Sequence, residues 1–282
     1  MDRFKNVVLI GEGTYGRVYK ASWKETGGPV AIKRIDIEPG SGLPLTAIRE
    51  IKMLKKLRST HIVRLQSIFF AQESLYLIME FLPFDLSGLI QTGYVFTSEQ
   101  ILSLSHQLMD ATRYIHSQGI IHRDIKSGNI LLDRRGCLKL ADFGLTREAE
   151  KLMTNRVCTL WYRAPELLLG AQSYDLKVDS WSIACVILEM GMGRPPFRGN
   201  DEVSQVKAIF ESLGAPAETY MWSEIPIPTD RIPFEKVVSS LNAECSLPSE
   251  GYDLLYRMMD LVPSRRISAE DALQHPFFND IR

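Results

Sequence analysis

Two short runs of the sequence bring together side chains that could transfer a phosphoryl group. The run His122-Arg-Asp-Ile-Lys-Ser-Gly-Asn129 is followed, thirteen residues later, by Asp142-Phe-Gly144. Phosphoryl transfer needs a carboxylate that orients the attacking hydroxyl, oxygen ligands for a divalent cation, and cations that stabilise the developing charge. Asp124, Asn129, Asp142 and Lys126 supply these groups. The two runs together favour this chemistry over a set of solvated loop charges.

A glycine-rich run near the N-terminus could bind phosphate. Gly11-Glu-Gly-Thr-Tyr-Gly16-Arg-Val18 matches the pattern G-x-G-x-x-G-x-V. Glycines let backbone amides approach phosphate oxygens without a Cβ clash. Because strand-like residues follow at once, we predict a hairpin turn and not the strand-to-helix turn of a dinucleotide-binding fold. Taken alone, the run is also compatible with a turn that binds no ligand.

Lys33 and Glu50 are each predicted to need an oppositely charged partner. Lys33 ends the strand-like run Val30-Ala-Ile-Lys33, which reads as buried, and an unpaired buried ammonium is costly. Glu50 shares a helical face with the apolar residues Leu54 and Leu57. We therefore predict an ion pair, which is either purely structural or holds Lys33 against the α- and β-phosphates of ATP.

The pattern of the whole chain indicates two parts that would position these groups. Strands are predicted over residues 7–10, 17–21, 30–33, 62–70 and 75–81, with one helix from Pro44 to Leu57. Beyond Pro83 the pattern becomes helical, at residues 99–116, 178–190, 203–213 and 252–261. Strands first and helices later are typical of an α+β fold or of two lobes. The boundary is predicted near Leu82-Pro-Phe84.

Composition excludes several other classes of protein. The 33 Lys+Arg and 34 Asp+Glu give a net charge of −1, which argues against a generic binder of nucleic acid or membrane surfaces. The longest charge-free apolar stretch, residues 181–188, is too short to span a bilayer, and the charged N-terminus does not read as a signal peptide. Four scattered cysteines, Cys137, Cys158, Cys185 and Cys245, are predicted to be reduced thiols.

In this order, the motifs resemble those of the eukaryotic protein kinases over essentially the whole chain. The glycine loop, V-A-I-K, the helix glutamate, H-R-D, D-F-G and Ala164-Pro-Glu166 are all present. The resemblance implies an active kinase with a bilobed α+β fold. Its β-rich N-lobe would comprise residues 1–82 and its mostly helical C-lobe residues 83–282, with ATP and Mg²⁺ bound between them.

The resemblance also implies a role for each motif residue. Asp124 would be the catalytic base, and Lys126 would steady the γ-phosphate. Asn129 and Asp142 would bind Mg²⁺, while Lys33 and Glu50 would form the ion pair. The residues implied to contact ATP, with Met79 as gatekeeper, are Ile10, Gly11, Glu12, Gly13, Thr14, Tyr15, Gly16, Arg17, Val18, Ala31, Lys33, Met79, Glu80, Leu82 and Leu131.

One helix sequence narrows the resemblance. Pro44-Leu-Thr-Ala-Ile-Arg-Glu50 is similar to the cyclin-contact helix of the cyclin-dependent kinases. Leu45 and Ile48 would form a second apolar edge on this helix, with no evident cover within the chain. The resemblance implies that a cyclin covers them, and packing under a nearby loop is the alternative.

Two threonines and one tyrosine resemble phosphorylation sites of this family. Thr154, in the segment from Asp142 to Glu166, is implied to be the activating site, modified by an activating kinase. The family's phosphothreonine-binding cluster corresponds to Arg49, Arg123 and Arg147, and a phosphate with about −1.5 to −2 charge would relieve their mutual repulsion. Thr14 and Tyr15, in the glycine loop, resemble inhibitory sites of the family. A phosphate group on either residue would repel the phosphates of ATP.

Three segments resemble the transcriptional members of the family, which phosphorylate the C-terminal repeats of RNA polymerase II. They are Thr154–Arg163, Asp85–Ile90 and His122–Asn129, where cell-cycle members usually carry Pro and Glu or Gln in place of Ser127 and Gly128. The resemblance implies a nuclear catalytic subunit that acts on Ser/Thr-Pro sites and contacts neither nucleic acid nor membrane directly. A cell-division kinase is the second interpretation.

Two other classes of protein fit the sequence less well than an active kinase does. A pseudokinase scaffold should lack at least one of Lys33, Asp124, Asn129 and Asp142, and the sequence retains all four. A nucleotide-dependent oxidoreductase should have a helix after the glycine loop and an acidic ribose ligand about 20 residues on. Lys33 stands near that distance, so we reject this class.

Overall fold

An antiparallel sheet is formed by the first part of the chain in the computed structural model, which describes residues 2–13, 16–37, 40, 42–148, 153, 159–214 and 247–281. β1 pairs with β2 up to Gly13 opposite Gly16, which is the predicted hairpin. The five strands, in the order β1-β2-β3-β5-β4, are β1 (Phe4–Gly13), β2 (Gly16–Trp23), β3 (Pro29–Asp36), β4 (Leu65–Ala71) and β5 (Ser74–Glu80).

Helix α1 (Leu45–Lys56) connects β3 to β4 and covers one face of this sheet. Its Ala47 packs with Leu75 and Leu77 of β5, while Phe4 and Tyr76 belong to the cluster on the other face. Successive strand residues point to opposite faces, and both faces of β5 are covered. β5 is therefore buried from Ser74 to Met79, and this rigid strand leads directly to the junction with the helical part.

The second part of the chain is mostly helical, with two small sheets. Strands β6, β8 and β9 form one antiparallel sheet, and β7 pairs with β10. The elements are β6 (Phe84–Asp85), α2 (Leu86–Gln91), α3 (Ser98–Ser117), β7 (Ile120–Ile121), β8 (Ile130–Leu132), β9 (Leu138–Leu140), β10 (Arg147–Glu148), α4 (Pro165–Leu168), α5 (Lys177–Met192), α6 (Glu202–Leu213), α7 (Ser249–Met258) and α8 (Ala269–Leu273).

Helix α5 lies at the centre of this second part. Every residue from Val178 to Met190 is buried, as expected for a helix that is enclosed on all sides. One large apolar cluster includes Trp181 of α5, Phe143, Leu54 of α1 and Met79 of β5. The two parts therefore share a hydrophobic core, and the segments that carry the motifs are packed against it.

The α+β architecture predicted from the sequence is confirmed, and three element boundaries are corrected. The strand predicted from residue 62 begins at Leu65, because the backbone of Ile62 pairs with Leu140 of β9. The helix predicted to end at residue 261 ends at Met258. The strand predicted to end at Lys33 continues to Asp36 in register with Ser74 of β5.

Two further expectations concern membrane segments and cysteines. None of the helices in the described ranges has the length and apolar character needed to cross a bilayer. Cys137 and Cys185 are free thiols, and burial raises the pKa of both. Cys158 and Cys245 lie outside the described residues.

Candidate active site

A cleft of about 710 Å³ lies between the sheet and the helical part. It collects the chemistry-bearing side chains Lys33, Glu50, Asp124, Lys126, Asn129 and Asp142. Of the residues predicted to contact ATP, those that line it are Ile10, Gly11, Glu12, Gly16, Val18, Ala31, Lys33, Met79, Glu80, Leu82 and Leu131. Residues from segments more than a hundred positions apart in the chain therefore face one space.

Four of the predicted ATP contacts have a different outcome. Arg17 is not part of this lining, and its guanidinium pairs with Glu12, Nε to Oε1, at 2.8 Å. Gly13 ends β1 opposite Gly16, and its contact with ATP stays a prediction. Thr14 and Tyr15 lie outside the described residues.

Gly16 is required by packing as well as by any ligand. Its φ is 133°, and a Cβ at this position would lie 2.1 Å from the carbonyl oxygen of Arg34 on β3. Only a residue without a side chain lets β2 approach β3 this closely. The glycine motif therefore shapes the hairpin roof of the cleft, whatever the cleft binds.

The inner end of the cleft is apolar and bordered by the segment that follows β5. Ala31 on β3 lies opposite Met79 on β5, and Met79 is buried at the back. The backbone N–H of Glu80 donates to the carbonyl of Arg64 at 3.1 Å. A backbone contact from Glu80 to a planar ligand would therefore come from its carbonyl group.

Lys33 is held by two carboxylates. Its Nζ lies 2.8 Å from both carboxylate oxygens of Glu50 and 3.4 Å from Oδ1 of Asp142. Burial alone lowers the pKa of Lys33, but the negative charges of Glu50 and Asp142 outweigh it and raise the pKa. Burial alone raises the pKa of Asp142, and the ammonium of Lys33 outweighs it, so that this pKa is lowered. Lys33 is thus a fixed cation and Asp142 an ionised carboxylate.

Asp124 is the centre of a second polar cluster. Its Oδ2 accepts hydrogen bonds from Lys126 Nζ at 2.8 Å and from Asn129 Nδ2 at 2.9 Å. Its Oδ1 accepts from the backbone N–H and the hydroxyl of Thr159, both at 3.2 Å. Lys126 also donates to the Thr159 hydroxyl at 3.0 Å. A carboxylate, a cation and the segment between Asp142 and Glu166 are therefore joined in one network.

The backbone before Asp124 is fixed by a buried carboxylate on α5. The oxygens of Asp179 accept from the N–H groups of His122 at 2.8 Å and Arg123 at 2.9 Å, and its Oδ2 lies 2.9 Å from Nε2 of His116. Arg123 has a φ of 67°. This backbone conformation is unfavourable for a non-glycine residue and persists only where surrounding contacts hold it. Burial raises the pKa of Asp179, but the hydrogen bond and charge of His116 outweigh it and lower the pKa.

Ser127, in the predicted catalytic run His122–Asn129, ties that run to α5 a second time. The hydroxyl of Ser127 donates to Glu189 at 3.1 Å and lies 3.0 Å from the hydroxyl of Tyr162, which itself donates to Glu189 at 2.7 Å. Ser127 and Glu189 are buried. Burial raises the pKa of Glu189 in spite of these two donors. The cluster joins the catalytic run, the segment that contains Tyr162, and α5.

Asp142 and Asn129 fit a divalent cation that binds together with phosphates. Asp142 is an ionised carboxylate, and the amide nitrogen of Asn129 is taken by Asp124, which leaves the amide oxygen for a ligand. Oxygen donors of this kind suit Mg²⁺, which keeps several waters or phosphate oxygens in its shell. Within the described ranges no cluster of three or more His, Cys, Asp or Glu side chains forms a complete protein-only metal site.

The residues predicted to bind a partner or a phosphothreonine lie outside the cleft. The side chains of Leu45 and Ile48 on α1 are 68% and 45% exposed. Arg123 is buried, and it donates to the Leu145 carbonyl and the Tyr174 hydroxyl. Arg147 is in β10, opposite Ile121 of β7, and Arg49 is in α1. Thr154 lies outside the described residues, so the phosphothreonine cluster stays a prediction.

Sequence reasoning missed several residues that hold the site together. Four residues, Thr159, Tyr162, Asp179 and Glu189, contact the catalytic run from 33 to 62 positions away along the chain. Arg266, which forms a buried two-pronged pair with Glu166 at 2.6 and 2.8 Å, was also missed. The one available signal was the presence of acidic residues in the apolar run of α5, since a buried charge needs partners.

Comparison with known proteins agrees with this geometry. The chain matches the family model of the protein kinase domain over residues 4–278. It is 51% identical over 225 residues to a probable cell division protein kinase of Encephalitozoon cuniculi (strain GB-M1), covering 80% of this chain and 73% of the relative.

Two other relatives cover essentially the whole of this chain. The CTD kinase subunit alpha of Schizosaccharomyces pombe is 40% identical over 290 residues, which is 98% of this chain and 48% of the relative. Cyclin-dependent kinase 12 of Drosophila melanogaster is 39% identical over 301 residues, which is 100% of this chain and 26% of the relative. The chain therefore spans about half of the first protein and about a quarter of the second.

Proposed function

The chain belongs to the protein kinase family, and we propose that it is the catalytic subunit of a cyclin-dependent serine/threonine kinase that phosphorylates the C-terminal repeats of RNA polymerase II. The observation that carries the kinase activity is the meeting of two networks in one cleft. Lys33, Glu50 and Asp142 form one, and Asp124 with Lys126 forms the other. The chain retains Lys33, Asp124, Asn129 and Asp142, of which a pseudokinase would be expected to lack at least one.

Asp124 is the residue placed to act on the attacking hydroxyl. Its carboxylate lines the cleft and can accept the proton as the hydroxyl oxygen bonds to the γ-phosphorus of ATP. The bond from that phosphorus to the bridging oxygen breaks, and the oxygen leaves with ADP. Lys126, 2.8 Å from Asp124, can donate to the transferring phosphoryl group from the same side. Hydrogen bonds from Asn129 and Thr159 keep the Asp124 carboxylate in one orientation, so little rearrangement is needed during the reaction.

The remaining residues hold the nucleotide. Lys33 can donate to the α- and β-phosphates while Glu50 fixes its position, and Val18, Ala31 and Leu131 provide apolar walls for adenine. Asp142 and Asn129 would hold Mg²⁺, which neutralises charge on the β- and γ-phosphates when it is bound. The protein's own contribution is thus mainly positioning and fixed charge.

The exposed edge of α1 supports a cyclin as the partner. Leu45 and Ile48 present apolar side chains to solvent on the helix that carries Glu50. A partner that covers this edge would also fix Glu50 and hence Lys33. Dependence on a cyclin therefore has a direct physical route to the catalytic centre.

The choice of substrate and location rests on the relatives and on sequence. The names of two relatives that align with essentially the whole chain refer to a CTD kinase and to cyclin-dependent kinase 12, and Ser127-Gly128 stands where cell-cycle members usually have Pro and Glu or Gln. These observations support our proposal that the protein acts in the nucleus. Thr154 is proposed as the activating phosphosite, and a Thr154→Ala protein should lose most of its activity when measured with its partner.

One experiment tests the activity and the substrate together. The chain is purified with its native cyclin, and the rates on a polymerase heptad-repeat peptide and on a basic Ser-Pro peptide are compared. We expect a clear preference for the heptad-repeat peptide. A preference for the basic peptide would instead support a cell-division kinase, the activity that the name of one relative indicates.

The matched variant is Asp124→Asn, with Asp110→Asn as control. Asp110 is on the surface of α3, paired with Arg113. Loss of a general base costs about 10²- to 10⁴-fold in rate, so Asp124→Asn should abolish turnover while it still binds a fluorescent ATP analogue. Full activity in Asp124→Asn would disprove its role as the base.

A further inference from the structure

A second groove, of about 410 Å³, lies beside the nucleotide cleft. It is formed by Lys20 and Pro29 of the sheet, by Phe81 and Pro83 of the segment between β5 and β6, and by residues 133–135 of the turn between β8 and β9. Phe81 and Pro83 line both spaces, whereas none of the charged residues in the described part of the chain lines both. The groove is therefore a neighbour of the cleft with a charge pattern of its own.

Three cationic side chains surround this groove. Among the described residues, no carboxylate forms an ion pair with Lys20, Arg134 or Arg135. Asp133, the acidic residue among the described residues of the lining, accepts hydrogen bonds at its Oδ1 from the backbone N–H groups of Arg135 at 2.8 Å and Cys137 at 2.9 Å. Like charges around one space repel one another, and an anion would relieve this repulsion.

The floor of the groove is apolar and made of rings. Pro29, Phe81 and Pro83 contribute it, and the ammonium of Lys20 lies 4.8 Å from the centre of the Phe81 ring. Aromatic and proline rings are the surfaces on which proline-containing peptides pack. The groove thus combines a surface suited to proline with cations suited to a phosphate.

We propose that this groove binds a phosphorylated Ser-Pro or Thr-Pro segment, the product of the reaction assigned above, and in this respect the inference rests on the proposed function. A phosphate accepts paired, charge-assisted hydrogen bonds from guanidinium groups, which Arg134 and Arg135 supply. The proline that follows the phosphorylated residue packs on Phe81. Ring floor and cations together select the product over the unmodified segment.

The consequence concerns substrates with many repeats. A chain that is phosphorylated once would be retained through its first phosphate, while a neighbouring repeat reaches Asp124. Tethering of this kind raises the effective concentration of the remaining sites without any new contact in the catalytic cleft. The kinase should then add several phosphates to one chain before it releases that chain.

Binding is measured with the full chain in complex with its cyclin, by fluorescence anisotropy. Three labelled peptides of two repeats are compared, with phosphoserine-Pro, with Ser-Pro, and with phosphoserine-Ala. The double variant Arg134→Ala/Arg135→Ala is matched by Lys207→Ala/Arg257→Ala, which removes the same charge from side chains that are 71% and 56% exposed elsewhere.

We expect the unaltered complex and the control to bind the phosphoserine-Pro peptide about tenfold more tightly than either other peptide. The Arg134/Arg135 variant should lose this preference. Equal binding of the three peptides, or the same preference in the Arg134/Arg135 variant, would overturn the proposal.

Kinetics separate the groove from the catalytic site. Arg134→Ala/Arg135→Ala should leave kcat/KM on a single-repeat peptide unchanged, because neither residue lines the nucleotide cleft. On a peptide of many repeats, early products should carry several phosphates with the unaltered kinase and a single phosphate with this variant, as counted by mass spectrometry. Singly phosphorylated early products from both would overturn retention. If the unaltered kinase phosphorylated neither the single-repeat nor the many-repeat peptide, the proposed function would be refuted. The anisotropy measurement would still show whether the groove binds the phosphorylated peptide.

Discussion

Lys33 and Glu50 lie 2.8 Å apart although one belongs to a strand and the other to a helix. Their side chains are 11% and 4% exposed, so the contact is shielded from solvent. The position of α1 relative to β3 therefore determines where the Lys33 ammonium points. This links the outer surface of α1 to the phosphate-binding end of the cleft.

Replacing Glu50 with Gln should impair both stability and catalysis. The variant leaves the buried ammonium of Lys33 with Asp142 as its remaining carboxylate, and breaking a buried pair costs about 3–5 kcal/mol. The Lys33 ammonium should then move toward Asp142. A displacement of about 1 Å in a catalytic site lowers the rate about 10²-fold. Urea unfolding and kcat/KM for ATP measure the two effects. Glu211→Gln, whose side chain is 61% exposed, is the control, and equal behaviour of the two variants would contradict the role of the pair.

Replacing Leu45 or Ile48 with Asp should weaken partner binding without unfolding the kinase. Both side chains are already largely in solvent, so the isolated chain loses little. Burial of such a side chain at an interface contributes about 1.5–3 kcal/mol, and each variant should bind the cyclin at least about tenfold more weakly by calorimetry. Val203→Asp, at a position 60% exposed on α6, should bind normally. Unchanged affinity in both α1 variants would argue for a different interface.

Removing the hydroxyl of Ser127 should slow turnover without changing nucleotide binding. Ser127→Ala deletes the donor to Glu189, and a lost buried hydrogen bond costs about 1–1.5 kcal/mol. If that energy positions Lys126 and Asn129, kcat should fall by about five- to tenfold while KM for ATP stays the same. Ser212→Ala, on the exposed side of α6, is the control. A change in KM for ATP alone would mean that Ser127 acts on the cleft as a whole.

Glu189 predicts a dependence of stability on pH. Its pKa is raised from 4.5 by burial, so its contribution to stability is complete below the unfolded pKa and is lost as the pH rises through the folded pKa. Glu189→Gln does not titrate, and its stability relative to the unaltered protein should increase as the pH rises above 4.5. Urea unfolding at four pH values measures this difference. A difference that is constant with pH, as expected for Glu211→Gln, would contradict the assignment.

The motif residues could be placed from sequence because each needs a nearby partner of known type. Lys33 and Glu50 illustrate this, since a buried cation and a carboxylate on an apolar helix face require one another. The hairpin around Gly16 was predictable for a similar reason, because strand-like residues follow the glycine run immediately. Local pattern and elementary electrostatics were sufficient for both.

Asp179 and Thr159 could not be placed in this way. Each contacts the catalytic run through atoms that come together only when α5 and the segment after residue 158 are packed. Ile62 is a related case, because its strand-like residue type is used to pair with Leu140 across the two parts and not with β5. Contacts that form only through tertiary packing produce no characteristic residue spacing, so they cannot be recognised in the sequence.

Helix α5 holds the catalytic run at two points, through Asp179 and Glu189. These residues are ten positions apart, or about 15 Å along the helix axis, and both lie in its fully buried stretch. Amide protons that are hydrogen-bonded to groups in the buried core exchange with deuterium only when the whole domain unfolds. The N–H groups of His122 and Arg123, which donate to Asp179, should therefore be among the slowest to exchange although they lie in a loop. The catalytic loop would then have the persistence of the core rather than the mobility of a surface segment.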